Sequence, residues 1–309
     1  MIIGVDIGGT KIALGLIDEN GTVVTRTEIP VEVDRGPANA RDRMLRTLRA
    51  QVQKTGAEVT GVGIACTGPV DPIIGELGDV NTLPGWLGWN PVQELSEAFG
   101  VTAALENDAD AAALGEARWG AGRGKRSLVS ITVGTGIGAG IILNGDIYRG
   151  AKNAHPEIGH HILEPGGPLC TCGAYGCWES LAAGPAIEQW YAERNPASER
   201  KTCREICALA RAGDVPARLA VERLAKYLGL GLSNVVSMLL PEVIALSGSV
   251  MQSADLLLGS IRSIVRNNCC LVPVESCEIA VSLLGANAGL IGAAQAWHNR
   301  FVRQSQEKL

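Results

Sequence analysis

One pattern of residues occurs twice in this chain, and it limits the folds that the chain can adopt. An apolar run at residues 1–6, a glycine turn, a second apolar run at residues 12–17 and the pair Asn20-Gly21 together predict a β-hairpin, because both residues of an Asn-Gly pair tolerate positive φ. The same order returns at residues 127–145 and ends at Asn144-Gly145. This weak internal repeat predicts two lobes, each beginning with a β-hairpin.

The length and composition of the chain agree with two lobes. Its 309 residues, 46% of them hydrophobic, exceed one average domain and suffice for a core in each lobe. Residues 120–126, GAGRGKR, are rich in glycine and charge, as an exposed connection is expected to be. We therefore predict an N-terminal α/β lobe over residues 1–122 and a C-terminal α/β lobe over residues 123–296.

Charge and hydropathy make several partners unexpected. The net charge is −5 and both signs are interspersed, so no basic face is available to neutralise the phosphate backbone of a nucleic acid. The N-terminus does not resemble a signal peptide, and no apolar stretch approaches the ~18–20 residues of a membrane span. We expect a cytoplasmic protein without a membrane partner. In a reducing compartment, the nine cysteines favour metal ligands, buried small residues or reactive thiols over disulfides.

The two glycine turns lead into strand-like runs, whereas dinucleotide-binding and Walker motifs open a helix. Two interpretations stay open for them, a plain tight turn and a concave nest of main-chain N–H groups that binds phosphate oxygens. Asp6 precedes the first turn, where a carboxylate could hold a hydrated Mg²⁺ ion, and Lys11 could add positive charge. Two such hairpins could clasp a triphosphate.

Asn107 and Asp108 lie where a strand-like run at residues 101–106 meets an alanine-rich helix at residues 109–119. Asn and Asp are favoured residues at the N-terminus of a helix, so a purely structural cap is one interpretation. The other is that a carboxylate held on a rigid element accepts a proton from a substrate hydroxyl as that hydroxyl attacks a phosphorus atom. The two roles can coexist.

A cluster of metal-ligand type lies in a stretch rich in glycine and proline. One imidazole and three thiolates match a closed, four-coordinate structural zinc site, with His161 as an alternative to the first ligand; the predicted ligands are His160, Cys170, Cys172 and Cys177. Four protein ligands leave no open position for water, which argues against a zinc-dependent hydrolase. Glu157 and Glu179 flank the cluster and are either solvated acids or acceptors of hydrogen bonds from sugar hydroxyls.

Together these motifs resemble those of ROK-family sugar kinases along essentially the whole chain. The resembling segments are residues 6–11, 106–108, 134–138, 157–160 and 170–179. The resemblance implies an actin-like (ribonuclease H-like) ATPase fold, with two α/β lobes around a cleft. It also implies that a last helix, at about residues 297–309, packs back on the N-terminal lobe.

The resemblance also implies a role for each motif residue. Asp108 would be the catalytic base, and His160 would place one ring nitrogen on zinc and the other toward the sugar. The sugar-binding positions would be Gly68, Asn81, Asn107, Asp108, Glu157, His160 and Glu179. The nucleotide-binding positions would be Asp6, Gly8, Gly9, Thr10, Lys11, Gly134, Thr135, Gly136, Gly138 and Gly248.

The expected activity is phosphorylation of the 6-hydroxyl of a hexose by MgATP. Residues 81–86 and 106–108 look most like the glucokinase branch, so glucose and a place in glycolysis are expected. Alternatives are a kinase for N-acetylmannosamine, N-acetylglucosamine, mannose, fructose or allose, or a sugar sensor without catalysis, which the retention of both glycine turns and Asp108 disfavours. The family also implies a homo-oligomer, dimer or tetramer.

Two features set the chain apart from other members of the family. Ala154-His155-Pro156 precedes Glu157 where the family usually has small residues, which bears on pocket shape and on the identity of the sugar. The repressors of the family carry a winged-helix domain ahead of the phosphate loop, and we expect none here because that loop begins at residue 6.

Overall fold

The computed structural model describes residues 1–197 and 199–303, which fold into two compact units. Among the described residues, unit 1 comprises Met1–Gly124, Asp146–His155 and residues 283–303. Unit 2 comprises Lys125–Gly145 and Pro156–Ser282. The chain therefore enters unit 2 within the glycine-rich stretch at residues 120–126, and it returns to unit 1 twice. The family resemblance implied one return, at about residue 297. Residues 304–309 of that segment lie outside the described residues.

The strands are β1 (Ile2–Ile7), β2 (Lys11–Ile17), β3 (Val23–Pro30), β4 (Gly61–Cys66), β5 (Val70–Asp71), β6 (Glu76–Leu77), β7 (Ala103–Asn107), β8 (Leu128–Val133), β9 (Ile137–Leu143), β10 (Asp146–Ile147), β11 (Val243–Ser247) and β12 (Glu278–Val281). The α-helices are α1 (Gly36–Thr55), α2 (Pro91–Phe99), α3 (Asp108–Trp119), α4 (Trp178–Ala182), α5 (Gly184–Arg194), α6 (Cys203–Arg211), α7 (Val215–Leu239), α8 (Ala254–Asn268) and α9 (Ala288–His298). Among the described residues, no helix is both long and apolar enough to span a membrane.

The main sheet of unit 1 has the strand order β3-β2-β1-β4-β7. Strands β2 and β3 form an antiparallel hairpin around Asn20-Gly21, and β1 pairs antiparallel with β2 across the first glycine turn. Strands β1, β4 and β7 run parallel. Because successive side chains of a strand point to opposite faces, Ile3, Val5 and Ile7 share one face of β1 and Gly4 and Asp6 share the other. The first face packs in the same core as the buried side chains of α1.

Helix α9 covers the glycine-bearing face of this sheet at very short range. A Cβ atom added to Gly63 would overlap the main-chain carbonyl of Ala293, and one added to Gly4 would lie 2.9 Å from the carbonyl oxygen of Leu290. The absence of side chains on the strands therefore lets the helix backbone rest on the sheet backbone. Residue 298 ends the α-helix, and Asn299–Arg303 continue it as one π-helical turn.

The sheet of unit 2 repeats the same connections, with β9 antiparallel to β8 and with β8, β11 and β12 parallel. The longest described helix, α7, begins after Asp214. The side chain of Asp214 caps it by accepting a hydrogen bond from the Ala217 N–H at 2.8 Å. The indole of Trp178 is fully buried against Gly231 of α7 and donates a hydrogen bond to the Tyr227 carbonyl at 2.9 Å. This tryptophan anchors the segment that follows the cysteine-rich loop.

We predict opposite effects on stability for two glycine-to-alanine substitutions. Gly63→Ala should lower the free energy of unfolding by about 1–3 kcal/mol, because the new methyl group has to displace α9. Gly259→Ala should raise it by about 0.5–1 kcal/mol, because Gly259 is an exposed interior residue of α8 with nothing within 4 Å of its added Cβ. Denaturant unfolding of both variants checks this. Equal destabilisation by both would contradict the packing of α9 described above.

Candidate active site and metal cluster

The predicted acidic residues of unit 1 lie at the carboxyl ends of parallel strands. In the strand register, Asp6 pairs with Ala65 and Ala65 pairs with Glu106, so Asp6 and the Asn107-Asp108 pair share one edge of the sheet. Crevices at this edge are the usual ligand sites of parallel α/β sheets. Burial raises the pKa of Asp6 to about 7, and the negative charge of Asp108 adds to the effect. A bound cation would relieve this electrostatic cost.

Glycine is required beside Asp6 as well as in the turn after it. A Cβ atom on Gly289, in the first turn of α9, would overlap the Asp6 carboxylate. In the glycine turn itself, Gly8 N–H donates to the Lys11 carbonyl at 3.0 Å, and a Cβ atom on Gly9 would lie 2.8 Å from Cβ of Thr82. The first turn therefore lies against the segment that contains Asn81, one of the predicted sugar-facing residues.

Lys11 and Thr10 close the first turn with different partners. The Lys11 Nζ atom lies 2.8 Å from Glu28 Oε1, and the Lys11 side chain is 61% exposed. A surface ion pair of this kind contributes little to stability, so the ammonium group can exchange this partner for a phosphate at small cost. The Thr10 carbonyl accepts a hydrogen bond from the Val31 N–H at 3.0 Å, which ties the turn to the end of β3.

Asn107 caps helix α3, as one of the two interpretations of the sequence predicted. Its Oδ1 atom accepts hydrogen bonds from the Ala109 N–H at 2.9 Å and from the Asp110 N–H at 3.3 Å. These two bonds fix the orientation of the Asn107 side-chain amide, and its Nδ2 group is left to donate hydrogen bonds to other partners. A Cβ atom on Gly68 would lie 2.8 Å from that Nδ2 atom, so Gly68 lies directly beside Asn107. Asp108 begins the helix, where the helix dipole stabilises a carboxylate.

A buried ionic cluster next to this pair was not predicted from the sequence. Glu106 precedes Asn107 and Asp110 follows Asp108 by two positions, and both carboxylates bind the guanidinium of Arg149. His155 adds a further contact, with its Nδ1 atom 3.0 Å from Asp110 Oδ2. Burial raises the pKa of Glu106 to about 7, although Arg149 lowers it. In the sequence, His155 was noted only as a departure from the usual family pattern. The contacts of the cluster join Glu106 and Asp110 to residues about 40 positions later in the chain, so no local pattern indicated them.

The second glycine turn, which lies in unit 2, is bonded within itself and to the start of α5. Gly134 N–H donates to the Gly136 carbonyl at 2.9 Å, and the Gly134 carbonyl accepts from the Gly184 N–H, at the start of α5, at 2.8 Å. Gly248 adopts φ +94° and lies against the carbonyl of Val133, the residue before the turn. Gly138 belongs to β9 and pairs with Thr132, so it lies in the strand after the turn. Residues 134–136 and Gly248 therefore lie next to each other.

Glu179 connects the cysteine-rich loop to the second glycine turn. Its Oε2 atom accepts a hydrogen bond from the Ile137 N–H at 2.9 Å, and its Oε1 atom accepts one from the Thr171 hydroxyl at 3.4 Å. A Cβ atom on Gly136 would overlap the same carboxylate, so glycine is required at this position. The sequence had predicted Glu179 as a sugar ligand and gave no indication of this connection. Glu157 precedes the short 3-10 helix Ile158–His160, and its carbonyl accepts from the His160 N–H at 3.1 Å.

The four predicted metal ligands of unit 2 come together. One ligand atom from each of His160, Cys170, Cys172 and Cys177 lies within 4.8 Å of the other three. The Sγ atoms of Cys172 and Cys177 are 3.6 Å apart, and Cys170 Sγ is 3.4 Å from His160 Nδ1. Zinc–sulfur bonds of about 2.3 Å in a tetrahedron give edges of about 3.8 Å, so the donors fit a four-coordinate zinc ion.

His161, the alternative ligand, is engaged elsewhere. Its Nδ1 atom lies 2.6 Å from the Ile158 carbonyl oxygen, and its Nε2 atom lies 3.3 Å from Asn234 Nδ2. Its ring also packs against Trp178, with 5.3 Å between the ring centroids. The geometry thus favours His160 as the imidazole of the cluster.

Comparison with known proteins agrees with these observations. A family model described as ROK family matches residues 2–300. The glucokinase of Thermotoga maritima is 31% identical over 95% of this chain and 96% of its own length. The crystal structure of a ROK hexokinase from Thermus thermophilus is 34% identical and superposes with a TM-score of 0.82, covering 96% of this chain and 97% of that one. A ROK family glucokinase from Streptomyces griseus, solved in complex with glucose and AMPPNP, gives 32% identity and a TM-score of 0.78 over 95% and 97%.

The fold is therefore that of an actin-like ATPase, which confirms the fold class predicted from the sequence. Within that class, the chain belongs to the ROK family.

We predict that Glu106 makes the free energy of unfolding depend on pH. Between its ordinary pKa of 4.5 and its raised value of about 7, the folded protein retains a proton that the unfolded chain releases, so stability should fall as pH rises through this window. Glu106→Gln removes that contribution. Denaturant unfolding at several pH values should show the variant gaining stability relative to the wild type from about pH 4.5 to about pH 7. Parallel curves for the two proteins would refute the prediction.

Proposed function

We propose that this protein transfers the γ-phosphoryl group of ATP to the 6-hydroxyl of a hexose, with glucose as the expected sugar. The observation that carries the proposal is the placement of Asp108 at the start of α3, at the same sheet edge as the buried carboxylate of Asp6. The similarity to glucokinases over nearly the whole chain supports the reaction and the sugar.

Nucleotide binding is assigned to main-chain groups and to Asp6. The N–H groups of Gly9 and Thr10 in unit 1, and of Thr135 and Gly136 in unit 2, would bind phosphate oxygens. Gly8 and Gly134 would shape the two turns, since their N–H groups already donate to the carbonyls of Lys11 and Gly136. Asp6 would hold the water shell of Mg²⁺, an ion that keeps several waters when it binds through one or two carboxylates. Lys11 would add positive charge to the phosphates, and Gly248, beside the second turn, would approach the adenosine.

Sugar binding is assigned to side chains with hydrogen-bonding capacity still available. The Nδ2 group of Asn107 would donate to a hydroxyl, since its Oδ1 atom already caps α3. Both carboxylate oxygens of Glu179 keep a lone pair after their contacts with Ile137 and Thr171, so they would still accept hydrogen bonds from hydroxyls. The remaining proposed sugar-facing positions are Gly68, Asn81, Glu157 and the second ring nitrogen of His160.

In the reaction, the 6-hydroxyl oxygen would form a bond to the γ-phosphorus as the bond from that phosphorus to the leaving oxygen of ADP breaks. Asp108 would accept the hydroxyl proton. Positioning and charge stabilisation carry most of the catalysis in phosphoryl transfer, and a general base adds about 10²–10⁴-fold. The cytoplasmic location and the dimer or tetramer remain predictions.

We further propose that the metal of the cysteine cluster is a structural zinc ion. When bound, zinc supplies a cross-link among four positions of the loop and no open coordination site. That cross-link would fix His160 directly. It would also fix Glu179, whose carboxylate accepts a hydrogen bond from Thr171, a residue between two of the cysteine ligands.

Turnover tests the kinase proposal directly. We expect ADP release with glucose to exceed that with other hexoses and N-acetylhexosamines. We expect Asp108→Asn to lower kcat by at least ~10²-fold with little change in sugar affinity, whereas Asp34→Asn, at an exposed aspartate of unit 1, should match the wild type. Sugar binding without turnover of any substrate would favour a sensor. Wild-type kcat in Asp108→Asn would exclude this residue as the base.

Metal content tests the zinc proposal. Elemental analysis of the purified protein should find about one zinc ion per chain. Cys172→Ser should lower this content sharply, because a hydroxyl is a poor substitute for a thiolate ligand. Cys270→Ser is the matched control, since both cysteines are exposed and only Cys172 belongs to the cluster. Loss of zinc from both variants, or a folded and active protein without metal, would contradict the proposal.

A further inference from the structure

Arg149 joins the two carboxylates that bracket the Asn107-Asp108 pair. Its Nη2 atom lies 2.5 Å from Glu106 Oε1, and its Nη1 atom donates to Asp110 Oδ2. Glu106 Oε1 also accepts the Asn107 N–H at 2.9 Å, so the same oxygen binds the guanidinium and the main chain of the pair. A planar guanidinium can bind two acceptors at once, which an ammonium group on a flexible stem does less well.

The cluster is buried, so its charges are strongly coupled. The side chain of Asp110 is 0% exposed, and those of Glu106 and Arg149 are 10% and 16% exposed. Asp110 Oδ1 accepts no hydrogen bond from the described residues, so Arg149 compensates the charge of this carboxylate at Oδ2, and His155 Nδ1 lies 3.0 Å from the same oxygen. Removing a cation from such a site leaves an uncompensated buried charge, which displaces its neighbours.

Arg149 and His155 belong to the segment Asp146–His155, which runs on along the chain through Pro156 to Glu157. His155 belongs to Ala154-His155-Pro156, the segment noted above as a departure from the small residues usual in the family. The structure now shows the environment of that residue: it faces a carboxylate two positions after Asp108. The cluster of Glu106, Asp110, Arg149 and His155 can affect the Asn107-Asp108 pair without touching a substrate.

We propose that Arg149, supported by His155, is a positioning residue for phosphoryl transfer: by holding Glu106 and Asp110 together it fixes the main chain that carries Asn107 and Asp108. This inference rests on the proposed function, because it gives Arg149 a role only through Asp108. Displacement of a reacting group by about 1 Å can lower a rate by ~10²-fold. Loss of the contacts of Arg149 with Glu106 and Asp110 should therefore lower kcat.

Steady-state kinetics of Arg149→Met test the inference. We expect kcat to fall by ~10–100-fold, with the KM for glucose and for ATP within ~3-fold of the wild type. Arg43→Met is the matched control, since this arginine belongs to the same unit, its side chain is 14% exposed and it also pairs with a glutamate. The kcat of Arg43→Met should equal that of the wild type. Equal kcat for the two variants would overturn the inference.

A positioning role also predicts non-additivity. In an Asp108→Asn background, Arg149→Met should lower kcat by no more than ~2–3-fold, because the group that Arg149 positions is already lost. A merely structural role would lower the active fraction equally in both backgrounds, and that result would overturn the inference. Arg149→Lys covers the case in which Arg149→Met does not fold: it retains the charge, and we expect a ~10-fold lower kcat. Wild-type kcat in Arg149→Lys would also overturn it.

Failure of this inference and failure of the proposed function give different results. If the wild type phosphorylates no sugar, the proposed function is wrong. If the wild type is active while Arg149→Met and Arg43→Met behave alike, the kinase function stands and Arg149 is not a positioning residue.

Discussion

Close contact between main chains is the constraint on which the rest of unit 1 depends. Helix α9 rests directly on the sheet because Gly4 and Gly63 have no side chains beneath it. The same contact brings Gly289 against the carboxylate of Asp6 and so helps to bury that carboxylate. Since folded interiors are close-packed, a single methyl group at these positions has no free volume to occupy. The position of the proposed magnesium ligand is thus set by backbone packing.

Burial of acids is the second constraint, and it has an electrostatic cost. Asp6 and Glu106 both have a pKa raised to about 7 because burial disfavours their charged forms. The side chain of Asp110 is fully buried, and the guanidinium of Arg149 compensates its charge. A fold optimised for stability alone would not gather acids at one sheet edge. Such an arrangement is typical of sites where a cation or a phosphate binds and where a proton is transferred.

In unit 2 the corresponding features are connected through Glu179. The cysteine-rich loop contains few regular elements, so its shape depends on short-range contacts and on the fit of four donors to one metal. Glu179 extends from this loop to the Ile137 N–H at the second glycine turn. A change in the loop can therefore reach both a proposed sugar ligand and a proposed phosphate-binding turn, although the two were separate motifs in the sequence.

The sequence by itself determined the local elements and the motifs. The hairpins around Asn20-Gly21 and Asn144-Gly145, the cap at Asn107 and the four proposed metal ligands follow from residue preferences and spacing over short distances. Only the tertiary structure decided the two returns of the chain to unit 1, the close packing of α9, the contact of Glu179 with Ile137 and the Arg149 cluster. Each of these depends on residues far apart in the chain, and a linear pattern carries no record of which distant side chains share a buried site.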